Sequence, residues 1–125
     1  MHKSMLGTLV IDCRTDDLDG AAQFWARALG REVVHRDQPG DEHYRGLAGD
    51  PSEPRVLMQK VDHPSRVHMD IETDDVEAEV ERLVRLGARK LDQVRHWWVL
   101  EAPSGQRFCV VPRQRPDFDD KANVW

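Results

Sequence analysis

A strand-to-helix unit that occurs twice is the feature that most constrains the fold of this chain. Its clearer copy spans residues 66–88, RVHMDIETDDVEAEVERLVRLGA, where the first seven residues nearly alternate between apolar and polar side chains. Such alternation is typical of a half-buried strand. A helix is predicted to follow, with Asp74 as its N-cap, Glu77 three residues later, an apolar stripe at helical spacing, and Gly87 at its end.

The alternation also predicts which side chains of this strand share a face. The strand is expected to carry an apolar face of Val67, Met69 and Ile71, and a polar face of His68, Asp70 and Glu72. The polar face contains His68, the leading candidate among the histidines for a functional residue.

The earlier copy has a strand at residues 6–13, a capping turn at 14–17, and a helix ending at Leu29 and Gly30. Its Asp16 corresponds to Asp74, 58 positions later, and Gly30 corresponds to Gly87, 57 positions later. Because the unit occurs only twice, it indicates a duplicated supersecondary structure, whereas a solenoid needs three or more repeats.

Short strand patterns follow each predicted helix, at residues 32–35, 43–47 and 54–61 in the first half and at 88–91, 96–100 and 106–111 in the second. Each half is therefore predicted to be βαβββ, with modules at about 5–62 and 66–112. We expect one domain over residues 1–112, followed by a tail at 113–125. The tail lacks periodicity and is expected to be frayed, although Phe118 and Trp125 offer possible anchors.

Composition excludes several classes of protein. A chain of 125 residues with 33% charged residues and a net charge of −5 has no basic footprint for nucleic acid. Its apolar runs are only a few residues long, which predicts a soluble, cytoplasmic protein that does not span a membrane. Cys13 and Cys109 form no CxxC pair, so two reduced thiols are expected, with Cys13, Phe24 and Trp25 in the core.

The tandem βαβββ pattern, with FWARALG closing the first helix and an HxD strand, LGA and PSGQRFCVVP in the second half, resembles the vicinal oxygen chelate superfamily. That superfamily includes glyoxalase-like proteins, bleomycin-resistance proteins and extradiol dioxygenases. The resemblance covers residues 6–112 and implies an α+β fold. In it, the two modules form a cupped, partly closed mixed sheet with helices outside and a pocket for a small organic molecule. It also implies a homodimer.

The same resemblance assigns four metal-ligand positions, on the first and last strands of each module. They fall on Val10, Gln59, His68 and Cys109. Valine cannot coordinate a metal, and one imidazole with a neutral amide supplies little charge for a hard divalent ion. We therefore predict no metal cofactor. If a divalent metal binds, His68 with Gln59 or Cys109 is expected to hold it.

His68 and Asp70 are the candidate catalytic residues. His68 would act as an acid, a base or a hydrogen-bond donor if it faces the pocket, or would simply bond to a neighbour on its strand. Asp12 occupies the place equivalent to Asp70, and the two carboxylates would either share a proton or be satisfied by backbone amides or Arg107. Cys109 would serve as a nucleophile only with a base close by, and a buried structural role is favoured.

Trp97 and Trp98 follow one another on a strand, so they must point to opposite faces. Of the two tryptophans, Trp98, which shares its face with Leu100, is preferred for the pocket by a narrow margin. The predicted pocket is lined by Val10, Asp12, Leu57, Gln59, His68, Asp70, Trp98, Arg107 and Cys109.

The leading hypothesis is a glyoxalase-like protein that binds a small organic molecule and performs any chemistry without metal. One alternative is a metal-dependent lyase or dioxygenase that uses His68. The other is a protein that sequesters its ligand, as bleomycin-resistance relatives do.

Overall fold

The computed structural model describes residues 1–34 and 41–125 and divides into two units. We call Thr8–Val67 the N-terminal unit, and Met1–Gly7 together with His68–Trp125 the C-terminal unit. Residue 35 of the predicted strand at 32–35 lies outside the described residues. The same holds for residues 35–40 of the Gly-, Pro- and Asp-rich segment that follows that strand.

The N-terminal unit is a mixed sheet with one packed helix. Two of its strand pairs are antiparallel: β2 (Val33–Val34) with β3 (Tyr44–Leu47), and β3 with β4 (Arg55–Lys60). In contrast, β4 runs parallel to β1 (Lys3–Cys13). A short 3₁₀ helix at Asp41–His43 precedes β3. The elements are β1 (Lys3–Cys13, in this unit from Thr8 onward), α1 (Leu18–Leu29), β2 (Val33–Val34), β3 (Tyr44–Leu47) and β4 (Arg55–Lys60).

The C-terminal unit repeats this topology. The first strand of its module is parallel to the last, and the other two strand pairs are antiparallel. The predicted tandem βαβββ arrangement and the α+β class are thereby confirmed. The elements are β5 (Arg66–Thr73, in this unit from His68 onward), α2 (Val76–Arg85), β6 (Arg89–Val94), β7 (Trp97–Glu101), β8 (Arg107–Pro112), α3 (Phe118–Lys121) and β9 (Asn123–Val124).

One helix covers one face of the sheet in each unit. In the N-terminal unit, Ala22 and Ala26 of α1 belong to the same buried cluster as Met58 and Cys13, as expected for the cysteine. Phe24 is 62% exposed, which corrects its assignment to the core, because it lies on the outer side of α1. The core of the C-terminal unit consists of Val80, Leu83, Leu100, Phe108 and Val110.

The helix ends follow the predicted signals with one shift. Asp17 caps α1 by accepting a 2.9 Å hydrogen bond from the Gly20 amide, and Gly30 ends the helix at a φ of 68°. The cap of α2 is Asp75 and not Asp74, because Asp75 Oδ1 accepts from the Ala78 amide at 3.0 Å. Asp74 is used elsewhere: its Oδ1 accepts a 2.8 Å bond from the amide of Lys3.

The C-terminal segment is ordered, so the expectation that it is frayed is wrong. Phe118 is fully buried, and β9 pairs antiparallel with Lys3 and Ser4 of β1. The Glu72 carboxylate also holds the segment, because its Oε1 accepts hydrogen bonds of 2.7 and 2.8 Å from the amides of Gln114 and Arg115. These specific contacts, and not a periodic apolar pattern, stabilise residues 113–125.

A second buried carboxylate, Glu79 of α2, joins the two ends of the C-terminal unit. It is fully buried, accepts two bonds of 2.7 and 2.8 Å from the Arg82 guanidinium, and lies 2.8 Å from His2 Nε2. The Arg82 guanidinium in turn stacks 3.7 Å above the centre of the Trp125 ring. Trp125 Nε1 donates a 2.8 Å hydrogen bond to Ser4 Oγ, which completes the connection.

The Glu72 side chain leaves no room for a side chain at Gly7. A Cβ placed on Gly7 would lie 2.2 Å from Glu72 Oε2 and 2.4 Å from its Cγ. We therefore expect Gly7→Ala to lower the free energy of unfolding by about 1–3 kcal/mol, the usual cost of overpacking. Urea unfolding would measure it, with Gly46→Ala as the control, because a Cβ at Gly46 meets nothing within 4 Å. Equal stability of the two variants would contradict this account.

None of the helices in the described ranges is long and apolar enough to cross a membrane.

Candidate functional site

Three chemically reactive side chains meet on one face of the sheet in the C-terminal unit. Asp70 of β5 lies opposite Cys109 of the parallel neighbour β8, and residues in register on adjacent strands share a face. His68 precedes Asp70 by two residues and therefore joins the same face. We call His68, Asp70 and Cys109 the His68 cluster.

The donor atoms of the His68 cluster are close together. One ligand atom from each residue lies within 4.8 Å of the other two, and His68 Nε2 is 3.4 Å from Asp70 Oδ1. This last distance is longer than a normal hydrogen bond. Asp70 Oδ1 is buried and accepts no hydrogen bond from any residue that the structure describes. The His68 and Asp70 side chains are 12% and 19% exposed, so both keep some contact with solvent.

The faces of β5 have the predicted alternation but the opposite burial at the start of the strand. Val67 and Met69 are 59% and 47% exposed, although the sequence places them on the apolar face. Glu72 on the polar face is only 1% exposed. The polar face is therefore the more buried one here, although charged side chains are rarely buried.

Trp98 lies on the opposite face of the sheet from Cys109. It is paired with Val110 and packs against the core formed with α2, and Leu100 belongs to the same core. The marginal choice of Trp98 for the pocket is therefore not adopted in the proposal below. Val99, which pairs directly with Cys109, shares the face of the His68 cluster, and alternation along β7 adds Trp97. The sequence alone does not identify Val99, because the register of β7 against β8 decides which residues of β7 share a face with Cys109.

Arg107 is exposed, and within the described residues no ion pair joins it to Asp12 or Asp70, for which it was the predicted counter-ion. Asp12, which is 1% exposed, is close to a different arginine: Arg66 Nε donates to its Oδ2 at 3.3 Å. No local sequence pattern indicates this pairing, because Arg66 lies 54 positions after Asp12.

The predicted site residues of the N-terminal unit also share one face within that unit. Val10 is in register with Leu57, and Asp12 is in register with Gln59. Val10 is 2% exposed and apolar, and the Gln59 amide donates a 3.1 Å hydrogen bond to the hydroxyl of Tyr44. Of the four ligand positions implied by the family resemblance, Val10 has no donor atom, and Gln59 offers an amide oxygen without the charge that suits a hard divalent ion.

The two thiols differ in environment, which predicts different reactivity. Burial, with a smaller contribution from the charge of Asp12, raises the pKa of Cys13, and its side chain is only 7% exposed. Cys109 is partly exposed. Because the thiolate is the reactive form, we expect iodoacetamide at neutral pH to label Cys109 well before Cys13. Peptide mass spectrometry after partial labelling would measure this, and equal labelling of both thiols would contradict it.

Comparison with known proteins agrees with this geometry. Two βαβββ units in tandem are the arrangement of the vicinal oxygen chelate superfamily, to which the glyoxalase-like proteins belong. The model of the glyoxalase-like domain family matches residues 8–111, and the chain belongs to that family. No curated protein matches the chain in sequence.

Solved structures share the fold at low sequence identity. Methylmalonyl-CoA epimerase from Mycobacterium tuberculosis is 17% identical, with a TM-score of 0.63, and the match covers 87% of each chain. A variant of the Streptomyces coelicolor methylmalonyl-CoA epimerase is 20% identical, with a TM-score of 0.59 over 86% of this chain and 95% of that one. A hypothetical protein from Bacillus halodurans C-125 is 10% identical, with a TM-score of 0.62 over 89% and 95%. At these identities the likeness establishes the fold alone.

Proposed function

We propose that this protein binds a small organic molecule at the His68 cluster and that His68 transfers a proton to or from it. The observation that carries the proposal is the juxtaposition of a partly exposed imidazole with a carboxylate 3.4 Å away, on the polar face of β5. A carboxylate next to an imidazole stabilises the imidazolium that forms when the histidine accepts a proton. Asp70 is thus the positioning residue and His68 the catalytic one.

The substrate class that suits such a pair is a carbonyl compound with an acidic C–H bond next to the carbonyl. Removing that proton produces an enolate, and returning a proton to either face of it gives isomerisation or epimerisation. No oxidant or reductant is needed, since the proton is the only group that moves. The structural neighbours include methylmalonyl-CoA epimerases, which support this class only through the fold.

A metal at the four positions implied by the family resemblance does not fit this chain. Val10 has no donor atom and is buried, and Gln59 offers only a neutral amide oxygen. His68 and Cys109 remain, which is fewer than the three protein ligands usual at catalytic zinc. The proposed proton transfer therefore uses no metal held in that arrangement, and we derive no step through one.

Hydrogen exchange tests the proposal directly. The full chain would be incubated in D₂O with methylmalonyl-CoA and other carbonyl compounds that carry an acidic C–H bond. NMR would follow the loss of the C–H signal in parallel samples without and with a chelator that removes metal. Exchange faster than in buffer alone supports the proposal.

Calorimetry on the same compounds separates catalysis from sequestration. Tight binding without exchange would replace the enzymatic proposal with the ligand-sequestering one that the bleomycin-resistance resemblance suggests. Exchange that stops completely on adding chelator would instead favour a metal-dependent lyase or dioxygenase.

We further propose a cytoplasmic homodimer. In support, several large apolar side chains lie on the surface of the chain: Phe24 is 62% exposed, Leu86 66% and Val124 56%. The family resemblance implies a homodimer, and self-association would cover some of these side chains. Light scattering coupled to gel filtration is expected to give twice the mass of one chain, and a single-chain mass at tens of micromolar would contradict the dimer.

A further inference from the structure

We propose that Cys109 is a nucleophile that captures α,β-unsaturated carbonyl compounds, with His68 moving the proton that the addition requires. This capture rests on the proposed function in one respect, because His68 carries the proton in both reactions. It adds a covalent step and a second class of ligand. Cys109 forms a bond to the unsaturated compound, whereas only a proton moves in the reaction proposed above.

The Cys109 thiol has the neighbours that such a step requires. It lies on the same face of the sheet as His68 and Asp70, and its Sγ atom is within 4.8 Å of one nitrogen or oxygen atom of each. A cysteine becomes a strong nucleophile when a base close by takes its proton, and such pairs are often looser in proteins without ligand. The Cys109 side chain is partly exposed, whereas Cys13 is buried.

Asp70 completes the arrangement. Its Oδ1 lies 3.4 Å from His68 Nε2, is buried, and accepts no hydrogen bond within residues 1–34 and 41–125. A buried carboxylate oxygen normally has a donor, because losing hydration without compensation is costly. When His68 takes the proton of Cys109 it becomes an imidazolium, which brings positive charge next to this oxygen. Asp70 therefore stabilises the thiolate–imidazolium form of the pair.

The chemistry is an addition to a conjugated double bond. Cys109 Sγ bonds to the β carbon while the electrons of the C=C bond move toward the carbonyl, which gives an enolate. The proton that left the thiol then passes from His68 to the α carbon. One S–H bond and one carbon–carbon π bond are lost, one S–C bond and one C–H bond are formed, and no oxidant or reductant takes part.

The distances in the cluster agree with this step. Reacting atoms approach to about 3–3.5 Å before a bond forms. The α and β carbons are directly bonded to each other, so the sulfur and the nitrogen that act on them must be near neighbours. Cys109 Sγ and one ring nitrogen of His68 meet this condition, because they lie within 4.8 Å of each other.

The surrounding side chains suit a flat, conjugated ligand. Val99 pairs directly with Cys109, and alternation along β7 puts Trp97 on the same face. An indole ring offers a flat apolar surface on which a planar π system can stack. The enolate is also the species that the proposed proton transfer forms, so one arrangement of His68 and Asp70 serves both reactions.

Intact-mass spectrometry tests the capture with a probe that is a ketone and not an aldehyde. The full chain, incubated with 2-cyclohexenone, is expected to gain the mass of one enone, and peptide mapping is expected to locate it on Cys109 and not on Cys13. The adduct is expected to survive denaturation, because a thioether is stable. Cyclohexanone, which lacks the double bond, is the matched control compound and is expected to give no adduct.

Two reagents separate the role of His68 from simple exposure of the thiol. Addition to the enone needs a proton at the α carbon, whereas alkylation by iodoacetamide only displaces iodide. His68→Gln is therefore expected to slow enone addition at least about tenfold more than iodoacetamide alkylation, since a positioned acid or base contributes about 10²–10⁴-fold. Asp70→Asn is expected to change the ratio in the same direction by less.

Matched controls are present in the same chain. Cys13→Ala removes the other thiol, and His96→Gln alters an exposed histidine of the C-terminal unit. Both variants are expected to react with the enone at the rate of the unmodified chain. Should His68→Gln fail to fold, the unmodified chain is compared with free N-acetylcysteine. The ratio of enone to iodoacetamide rates is expected to be at least about tenfold higher for Cys109.

Three results would overturn the inference: no enone adduct on the unmodified chain, labelling of Cys109 and Cys13 by the enone at equal rates, or a rate ratio that neither His68→Gln nor the comparison with N-acetylcysteine changes. If no adduct forms while saturated carbonyl compounds exchange hydrogen, only this inference is lost. If an adduct forms at a rate that depends on His68 and no saturated compound exchanges, only the proposed function is lost.

Discussion

Replacing His68 with glutamine is expected to slow hydrogen exchange of the bound substrate by about 10²–10⁴-fold, the usual contribution of a positioned acid or base. Glutamine keeps a polar side chain of similar length on the same face of β5, but its amide cannot carry a proton at neutral pH. Ligand affinity measured by calorimetry is expected to change much less than the exchange rate. The loss then reflects the proton transfer and not the binding.

The neighbouring residue provides a graded comparison. Asp70→Asn removes the charge 3.4 Å from His68 Nε2 but leaves the imidazole in place, so we expect a smaller loss of rate than in His68→Gln. His96→Gln is the matched control, because His96 is exposed in the turn before β7. Its exchange rate should equal that of the unmodified chain. A His68→Gln variant that is correctly folded and exchanges at full rate would refute the role of His68.

Replacing Glu79 with alanine is expected to lower the free energy of unfolding by about 3–5 kcal/mol, the cost of breaking one side of a buried ion pair. Glu79 is fully buried, and its carboxylate accepts both hydrogen bonds from the Arg82 guanidinium. Without Glu79, the charge of Arg82 loses its partner, and the stacking of Arg82 on Trp125 loses the group that positions it. Urea unfolding of both proteins would measure the difference.

Glu79 also makes the free energy of unfolding depend on pH in the acid range. Burial by itself raises the pKa of Glu79, but hydrogen bonds from Arg82, Ser4 and His2 outweigh it and hold the pKa below the ordinary value of 4.5. A lowered folded-state pKa stabilises the folded protein above the unfolded-state pKa, and this stabilisation is lost as the pH falls through the folded-state value. We therefore expect the unmodified chain to lose stability below about pH 4.5 more steeply than Glu79→Gln.

The control for both measurements is Glu81→Ala, on the same helix but exposed, where a change within about 0.5 kcal/mol is expected. Equal destabilisation by Glu79→Ala and Glu81→Ala would show that the buried ion pair contributes nothing. Parallel acid unfolding curves for the unmodified chain and Glu79→Gln would contradict the lowered pKa.

The sequence predicts the fold well because its signals are local and repeated. The cap, the apolar stripe and the terminal glycine of α1 are recognisable in a single pass, and their second appearance predicts the tandem arrangement. The shift of the α2 cap from Asp74 to Asp75 has a long-range cause. Asp74 is drawn away by the amide of Lys3, 71 positions earlier, which no local pattern indicates.

The candidate site is predicted less completely, because it depends on register between strands. Alternation alone places His68 and Asp70 on one face, and the structure bears this out. It does not tell which residue of β8 lies opposite Asp70, nor whether Trp97 or Trp98 shares that face. The order of the C-terminal segment could not be predicted for the same reason. The Gln114 and Arg115 amides donate hydrogen bonds to Glu72, which lies more than 40 positions earlier in the chain.

The exposure of Met69 gives a way to observe the site without altering it. Met69 stands between His68 and Asp70 in the chain, yet its side chain points to the other face and is 47% exposed. A ¹³C-labelled methyl group at this position would report, through its NMR shift, any movement of the β5 backbone when a carbonyl compound binds on the opposite side. Occupancy of the site could thus be followed in the unmodified protein, with every side chain of the His68 cluster in place.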